Sequence, residues 1–183
     1  MIIFELMPMR IFTLLVLSHV LSLTSSGQAN YPVPPKDDKL LFYFQRSCNT
    51  NTIIYELNKL PDGRINPDRP INLFWISYEK GGYREDVSFI QRRGFGLSSE
   101  LIDKQKESFV LHFYSYKKRT LYLLKVENQY KVFMNINGEM AELNKLFIKC
   151  ENNALGFPII IDYVAITGKS VKNGIQVIEK IKP

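Results

Sequence analysis

The side chains with the chemistry to hold a ligand are Arg46, Asn49, Asn51 and Tyr55 in one run, Trp75 further along, and Gln91 with Arg92. The first four gather a guanidinium, two amides and a phenol around an expected turn, where they could line a pocket for a polar or anionic ligand. The same asparagines can instead build the turn by bonding to their own backbone, with Arg46 paired to a nearby carboxylate. Trp75 and Tyr78 fall on an expected strand and could stack on a sugar ring, although a lone tryptophan more commonly fills a core. Gln91, Arg92 and Arg93 are expected to end a short helix, where cations complement the negative end of the helix dipole and an anion site is the minority reading.

Catalytic chemistry has little to work with. His112 is the only histidine beyond residue 29, so a Ser-His-Asp or Cys-His mechanism would have to use it as base, and no Gly-x-Ser-x-Gly elbow is present. Glu56, Glu79, Asp86 and Asp162 could in principle supply a carboxylate pair of the kind glycosidases use. Sequence spacing does not say how far apart they stand. Cys48 and Cys150 have no second cysteine or histidine at ligand spacing, so no metal site is expected. Gly94-Phe95-Gly96 is too short for a phosphate-cradling loop, and no cofactor is implied.

The first residues explain where such a chain would work. Arg10 precedes an apolar run from Ile11 to Leu23, followed by Gly27 and Ala29, which are small enough for peptidase subsites. That order predicts a signal peptide over residues 1–29 cut after Ala29, with Met7 or Met9 as possible starts. The expected destination is the periplasm, the outer envelope or the extracellular space, with no transmembrane span once the signal is removed. In an oxidising compartment Cys48 and Cys150 could close one disulfide or remain two separate, partly buried thiols. The chain carries a formal charge of +6, unchanged when Arg10 and Glu5 leave with the signal. Its basic residues are scattered, without a basic stripe interleaved with aromatics, so nucleic acid is not an expected partner.

The elements that must position these side chains are strands. Residues 30–39, with Pro32, Pro34 and Pro35, read as an extended tether that cannot join a central strand. Residues 40–183 read as one β domain. Strands are expected over Leu40–Gln45, Thr52–Leu57, Leu73–Tyr78 and Phe95–Ile102, then in a meander over Phe109–Tyr116, Thr120–Val126, Tyr130–Ile136 and Met140–Ile148. Asn137-Gly138 predicts a type I′ turn between the last two. Ile159–Ile166, the most apolar run past residue 29, reads as a central strand closed by a hairpin with Ile175–Ile181. Arg84–Arg93 is the one expected helix, with Val87 and Ile90 three apart and Gly94 able to end the turn. The fold class is therefore all-β: an antiparallel barrel, calycin-like, or a two-sheet sandwich.

The run Phe42-Tyr43-Phe44-Gln45-Arg46-Ser47-Cys48-Asn49-Thr50-Asn51-Thr52-Ile53-Ile54-Tyr55-Glu56-Leu57-Asn58 is followed by Asp62-Gly63, Pro70-Ile71, Phe74-Trp75-Ile76-Ser77-Tyr78 and Ile90-Gln91-Arg92. Together these resemble a domain-of-unknown-function family of exported, mainly bacterial proteins, over about Leu40 to Ile181. The Arg-Ser-x-Asn-x-Asn run carries the resemblance, with Cys48 at its variable position. The resemblance implies a small exported β domain and supplies no substrate or catalytic residue. The expected function is a non-catalytic module of the cell envelope that binds a small or amphipathic ligand or an envelope component. The alternative is a hydrolase of an envelope polymer acting through paired carboxylates. Two carboxylates sharing a pocket would favour the enzyme, and an apolar cavity with Arg46 or Arg92 at its rim would favour binding of an amphipathic acid.

Overall fold

A computed structural model describes residues 31–151 and 160–182. The expected signal peptide and its cleavage site, and the segment 152–159, lie outside the described residues. Eleven strands form one sheet: β1 (Leu40–Arg46), β2 (Asn49–Leu57), β3 (Ile71–Ser77), β4 (Tyr83–Asp86), β5 (Leu97–Asp103), β6 (Ser108–Phe113), β7 (Leu121–Val126), β8 (Gln129–Ile136), β9 (Glu139–Glu151), β10 (Ile160–Ser170) and β11 (Gln176–Ile181). The main path runs β4-β3-β2-β1-β9-β8-β7-β6-β5, and β10 with β11 continues from β9 off that path. The nine-stranded path curls into a half-barrel, so the fold is all-β with one short α-helix.

The curl follows from the way β9 is shared. β10 pairs along β9 from Ala141 to Glu151 and so occupies one of its edges. A strand has only two edges, so β8 at Glu139–Glu142 and β1 at Lys145–Ile148 must divide the other between them. Two groups of four strands thus leave the same edge of one long strand and turn their apolar faces toward each other. The β1–β9 pairing is parallel, so the sheet is mixed though mostly antiparallel. Between the two pairings β9 holds an unmatched Asn144, because Thr167 faces Lys145 while the next residue, Gly168, faces Leu143. Gly168 is needed there for space: a Cβ would stand 2.5 Å from the Glu142 carbonyl oxygen and 2.6 Å from Ile136 Cδ1.

Inside the curl, alternate residues of facing strands form one core that includes Phe42, Ile53, Tyr55, Trp75, Leu111, Leu121, Val132, Ile136 and Leu143. Period-two alternation is what selects them. The expected meander is present as β6 to β9, preceded by β5, and the turn at Asn137-Gly138 has φ of 52° and 84°, as a type I′ turn requires. On the far side, the Arg119 guanidinium donates to both carboxylate oxygens of Glu179, fastening β11 to the start of β7. That pairing holds the Glu179 carboxyl below its usual pKa range.

Three expectations are corrected. The helix, α1, spans Phe89–Phe95 rather than Arg84–Arg93, because Tyr83–Asp86 pairs with β3 as a short strand. Ser88 starts it: its side chain accepts from the Gln91 N–H while Gln91 Oε1 accepts from the Ser88 N–H. Val87 is buried just ahead of the helix, but Ile90 is exposed, and Gly94 lies within the helix while Gly96 caps it. The proline stretch makes no strand, yet it does not hang free. Pro34 is buried, and the Pro32 carbonyl accepts from Gln45 Nε2 at 2.6 Å. β10 is flanked by strands on both sides, but its apolar start is open to solvent at Ile160 and Ile161.

Candidate functional site

The Arg46–Asn51 run spans the turn from β1 to β2, with Arg46 Nε and Asn49 Oδ1 buried without a hydrogen-bond partner among the described residues. Ser47 and Cys48 form the tight turn from β1 to β2, and Cys48 is disulfide-bonded to Cys150 with Cα atoms 5.9 Å apart. Ser47 Oγ donates to the Cys150 carbonyl at 2.7 Å and accepts from the Cys150 N–H at 2.8 Å, so the turn is tied to the end of β9 twice over. Asn51 Nδ2 donates to Glu79, whose own N–H donates back to Asn51 Oδ1, each at 3.2 Å, clasping the 3₁₀ turn Tyr78–Lys80. Asn49 stands across the turn from Arg46.

Arg46 lies over the Trp75 ring, 5.1 Å from its centroid, and the edge of Phe95 packs on the same ring at 5.8 Å. Trp75 therefore offers no open face for a sugar. Burial pulls the Arg46 pKa down, with Glu79 acting in the opposite direction. Gln91, expected at the end of the helix, sits in its first turn, where its side chain completes the cap.

A second place along the concave face has the form of a binding site. A cleft of about 490 Å³ is lined by Tyr55 from β2, by Ile71 and Leu73 from β3, and by Arg92 and Gly96 from α1 and its cap. Leu97, Ser98 and Ser99 of β5, Leu111 of β6, Tyr114, and Asp68, Arg69 and Pro70 of the loop before β3 complete it. Beneath it Tyr55 and Leu111 are fully buried, and Ile71 and Leu73 nearly so, and the surface that remains accessible is more polar than apolar. Burial pushes the Tyr55 hydroxyl pKa far up, so it stays protonated and donates to the Phe95 carbonyl at 2.7 Å, fixing the end of α1 against the floor. Gly96 leaves room for the Tyr114 ring, which a Cβ there would meet at 2.8 Å.

Two guanidiniums stand at the cleft, Arg69 and Arg92, and neither has an ion pair or side-chain hydrogen bond among the described residues. Arg69 is held on a stiff loop between Pro67 and Pro70. Asn66 Oδ1 accepts from the N–H groups of Asp68 and Arg69, and the Arg69 carbonyl accepts from Asn58 Nδ2 at 2.7 Å. Asp68 is the only carboxylate lining the cleft. Glu56 instead pairs with Arg84 at 3.4 Å, Glu79 serves the 3₁₀ turn, Asp86 ends β4, and Asp162 is exposed on β10. His112 is on β6 but does not line the cleft.

Of the residues singled out from sequence, only Tyr55 and Arg92 reach this cleft. Arg69 and the Leu97–Ser99 wall went unnoticed, although Asn66-Pro67-Asp68-Arg69-Pro70 has the composition of a rigid loop presenting one cation. No group of three or more His, Cys, Asp or Glu side chains positioned for a metal occurs among the described residues, and none of their helices is long and apolar enough to cross a membrane. Comparison with curated proteins and with solved structures finds no match to the chain. A family model described as a domain of unknown function, DUF4833, matches residues 42–180, all of the half-barrel but the first two residues of β1, and the chain belongs to that family.

Proposed function

We propose that this protein is an exported binding domain whose cleft takes an organic acid, its acidic group held by Arg69 and Arg92 and its apolar part against Leu97 and the Tyr114 ring. The observation that carries this reading is two guanidiniums without an ion pair among the described residues, standing at one cleft with Leu97 and Tyr114. A guanidinium matches a carboxylate in shape as well as charge, and partial exclusion of water strengthens the pairing. With Asp68 as its one carboxylate, the cleft lacks the pair that hydrolysis of a glycosidic polymer uses.

Export is supported by the apolar run behind Arg10 and by the Cys48–Cys150 bridge, since such bridges persist in oxidising compartments. N-terminal sequencing of protein recovered outside the cytoplasm is expected to begin at Asn30. A first residue at or before Arg10 would contradict removal of the signal.

The binding reading is tested with dodecanoate as the probe. Replacing Arg69 or Arg92 by alanine is expected to weaken binding about tenfold each, roughly 1.4 kcal/mol apiece. Titration calorimetry at low ionic strength measures it. Unchanged affinity in the double variant, with its folding intact, would remove the site.

A further inference from the structure

The acid bound in the cleft, we infer, is the carboxylate end of an extended polypeptide that enters as an added β-strand; this deepens the organic-acid reading and rests on it. The cleft lies where the half-barrel fails to close, between β3 on one wall and β5 on the other. Backbone alternation shows what those walls present. Residues directly opposite in an antiparallel pair alternately bond to each other and turn their N–H and C=O groups away.

On β5, the Tyr114 N–H donates to the Gly96 carbonyl at 3.0 Å, and Gly96 stands opposite Tyr114 one step beyond the Leu97–Phe113 pair. Leu97 and Ser99 therefore point their backbone groups away from β6. β5 ends the strand path, so among the described residues no strand pairs with that edge. On β3, the Asn58 N–H donates to the Pro70 carbonyl at 2.8 Å, continuing the β2–β3 register, so Ile71 and Leu73 turn their groups away from β2. β4 covers the same edge of β3 only from Phe74 to Ser77. The β5 wall thus carries backbone donors and acceptors that no strand engages among the described residues, with two guanidiniums beside it, while Ile71 and Leu73 of the β3 wall are buried.

This composition selects among acids. An acyl chain would lie against these backbone groups and against Ser98, Ser99 and Asp68, removing water from them without replacing its hydrogen bonds. An extended peptide supplies its own N–H and C=O to the β5 edge, places alternate side chains against Leu97 and the Tyr114 ring, and ends in the carboxylate the guanidiniums require. Strand addition here would also cover the half-barrel's open edge.

The purified protein is titrated calorimetrically with four kinds of probe. They are the N-acetylated peptide Thr-Val-Thr-Val-Thr-Val with a free carboxylate, its C-terminal amide, two versions N-methylated on alternate residues, one set each, and dodecanoate. The free acid is expected to bind at least tenfold more tightly than dodecanoate, to lose tenfold or more as the amide, and to lose as much in at least one N-methylated version. Ser99→Pro, which removes an N–H facing the seam, is expected to abolish peptide binding while the circular dichroism spectrum stays that of the folded protein. Full binding by both N-methylated peptides, or a preference for dodecanoate, would overturn strand addition and leave the organic-acid reading in place. Binding of neither peptide nor dodecanoate to the folded protein would overturn both.

Discussion

Replacing Cys48 and Cys150 together by alanine is expected to lower the melting temperature by about 10 to 20 °C. The bridge closes a loop of 102 residues, which takes in everything from the first hairpin to the end of β9. Chain-entropy reasoning puts the stabilisation from a loop of that size at about 4 to 5 kcal/mol, acting mainly by restricting the unfolded chain. For a domain of this length each kcal/mol moves the midpoint by about 2 to 4 °C. The bridge also fixes the only parallel junction in the sheet, where β1 meets β9, so its loss weakens the join between the two strand groups. Thermal unfolding followed by circular dichroism, for the variant and for wild type with and without a phosphine reductant, measures the effect. Coincident melting curves would show that the bridge contributes nothing.

Phe42→Ala is expected to cost about 3 to 5 kcal/mol, the range for deleting a large aromatic side chain from a packed core. Phe42 is 1% exposed and stacks on Tyr55 with ring centroids 4.1 Å apart. Phe113 meets both rings edge-on, at 6.4 Å from Phe42 and 6.0 Å from Tyr55. The truncation removes the stacked partner beneath the cleft floor and leaves a cavity that rigid neighbouring strands fill only in part. Urea unfolding reads the cost as a lowered midpoint at similar slope. Val33→Ala, at a position 70% exposed, is the control and should leave the midpoint nearly unchanged. Equal midpoints for the two variants would mean that this aromatic trio is not the core it is described to be.

The strands could be read from sequence because their signals are local. Alternation in Phe109–Phe113 and Tyr130–Ile136, and the left-handed pair Asn137-Gly138, each bear on neighbours a few residues away, and the structure has those strands and that turn. The parallel pairing of Tyr43–Arg46 with Lys145–Ile148 could not be read, because it joins segments about a hundred residues apart whose apolar patterns suit several partners. The helix was misplaced for a different reason. The spacing of Val87 and Ile90 was given more weight than Ser88-Phe89-Ile90-Gln91, whose serine and glutamine mark where the helix begins.

The candidate site followed the same division. Tyr55 and Arg92 were singled out by residue type alone. Arg69, Leu97 and Ser99 belong to the cleft only because the half-barrel stops short of closing and leaves β3 and β5 as its walls. Conversely, Arg46, Asn49 and Asn51 have the residue types of a pocket, but that run folds into a turn tied to Cys150 and Glu79.

Amide chemical-shift mapping during a dodecanoate titration tests the cleft most directly. Saturable shifts concentrated at Arg69, Arg92, Leu97 and Ser99, and absent from the Arg69→Ala/Arg92→Ala protein, are the predicted result. A folded protein whose shifts stay put, or move chiefly along β10 and β11, would contradict it.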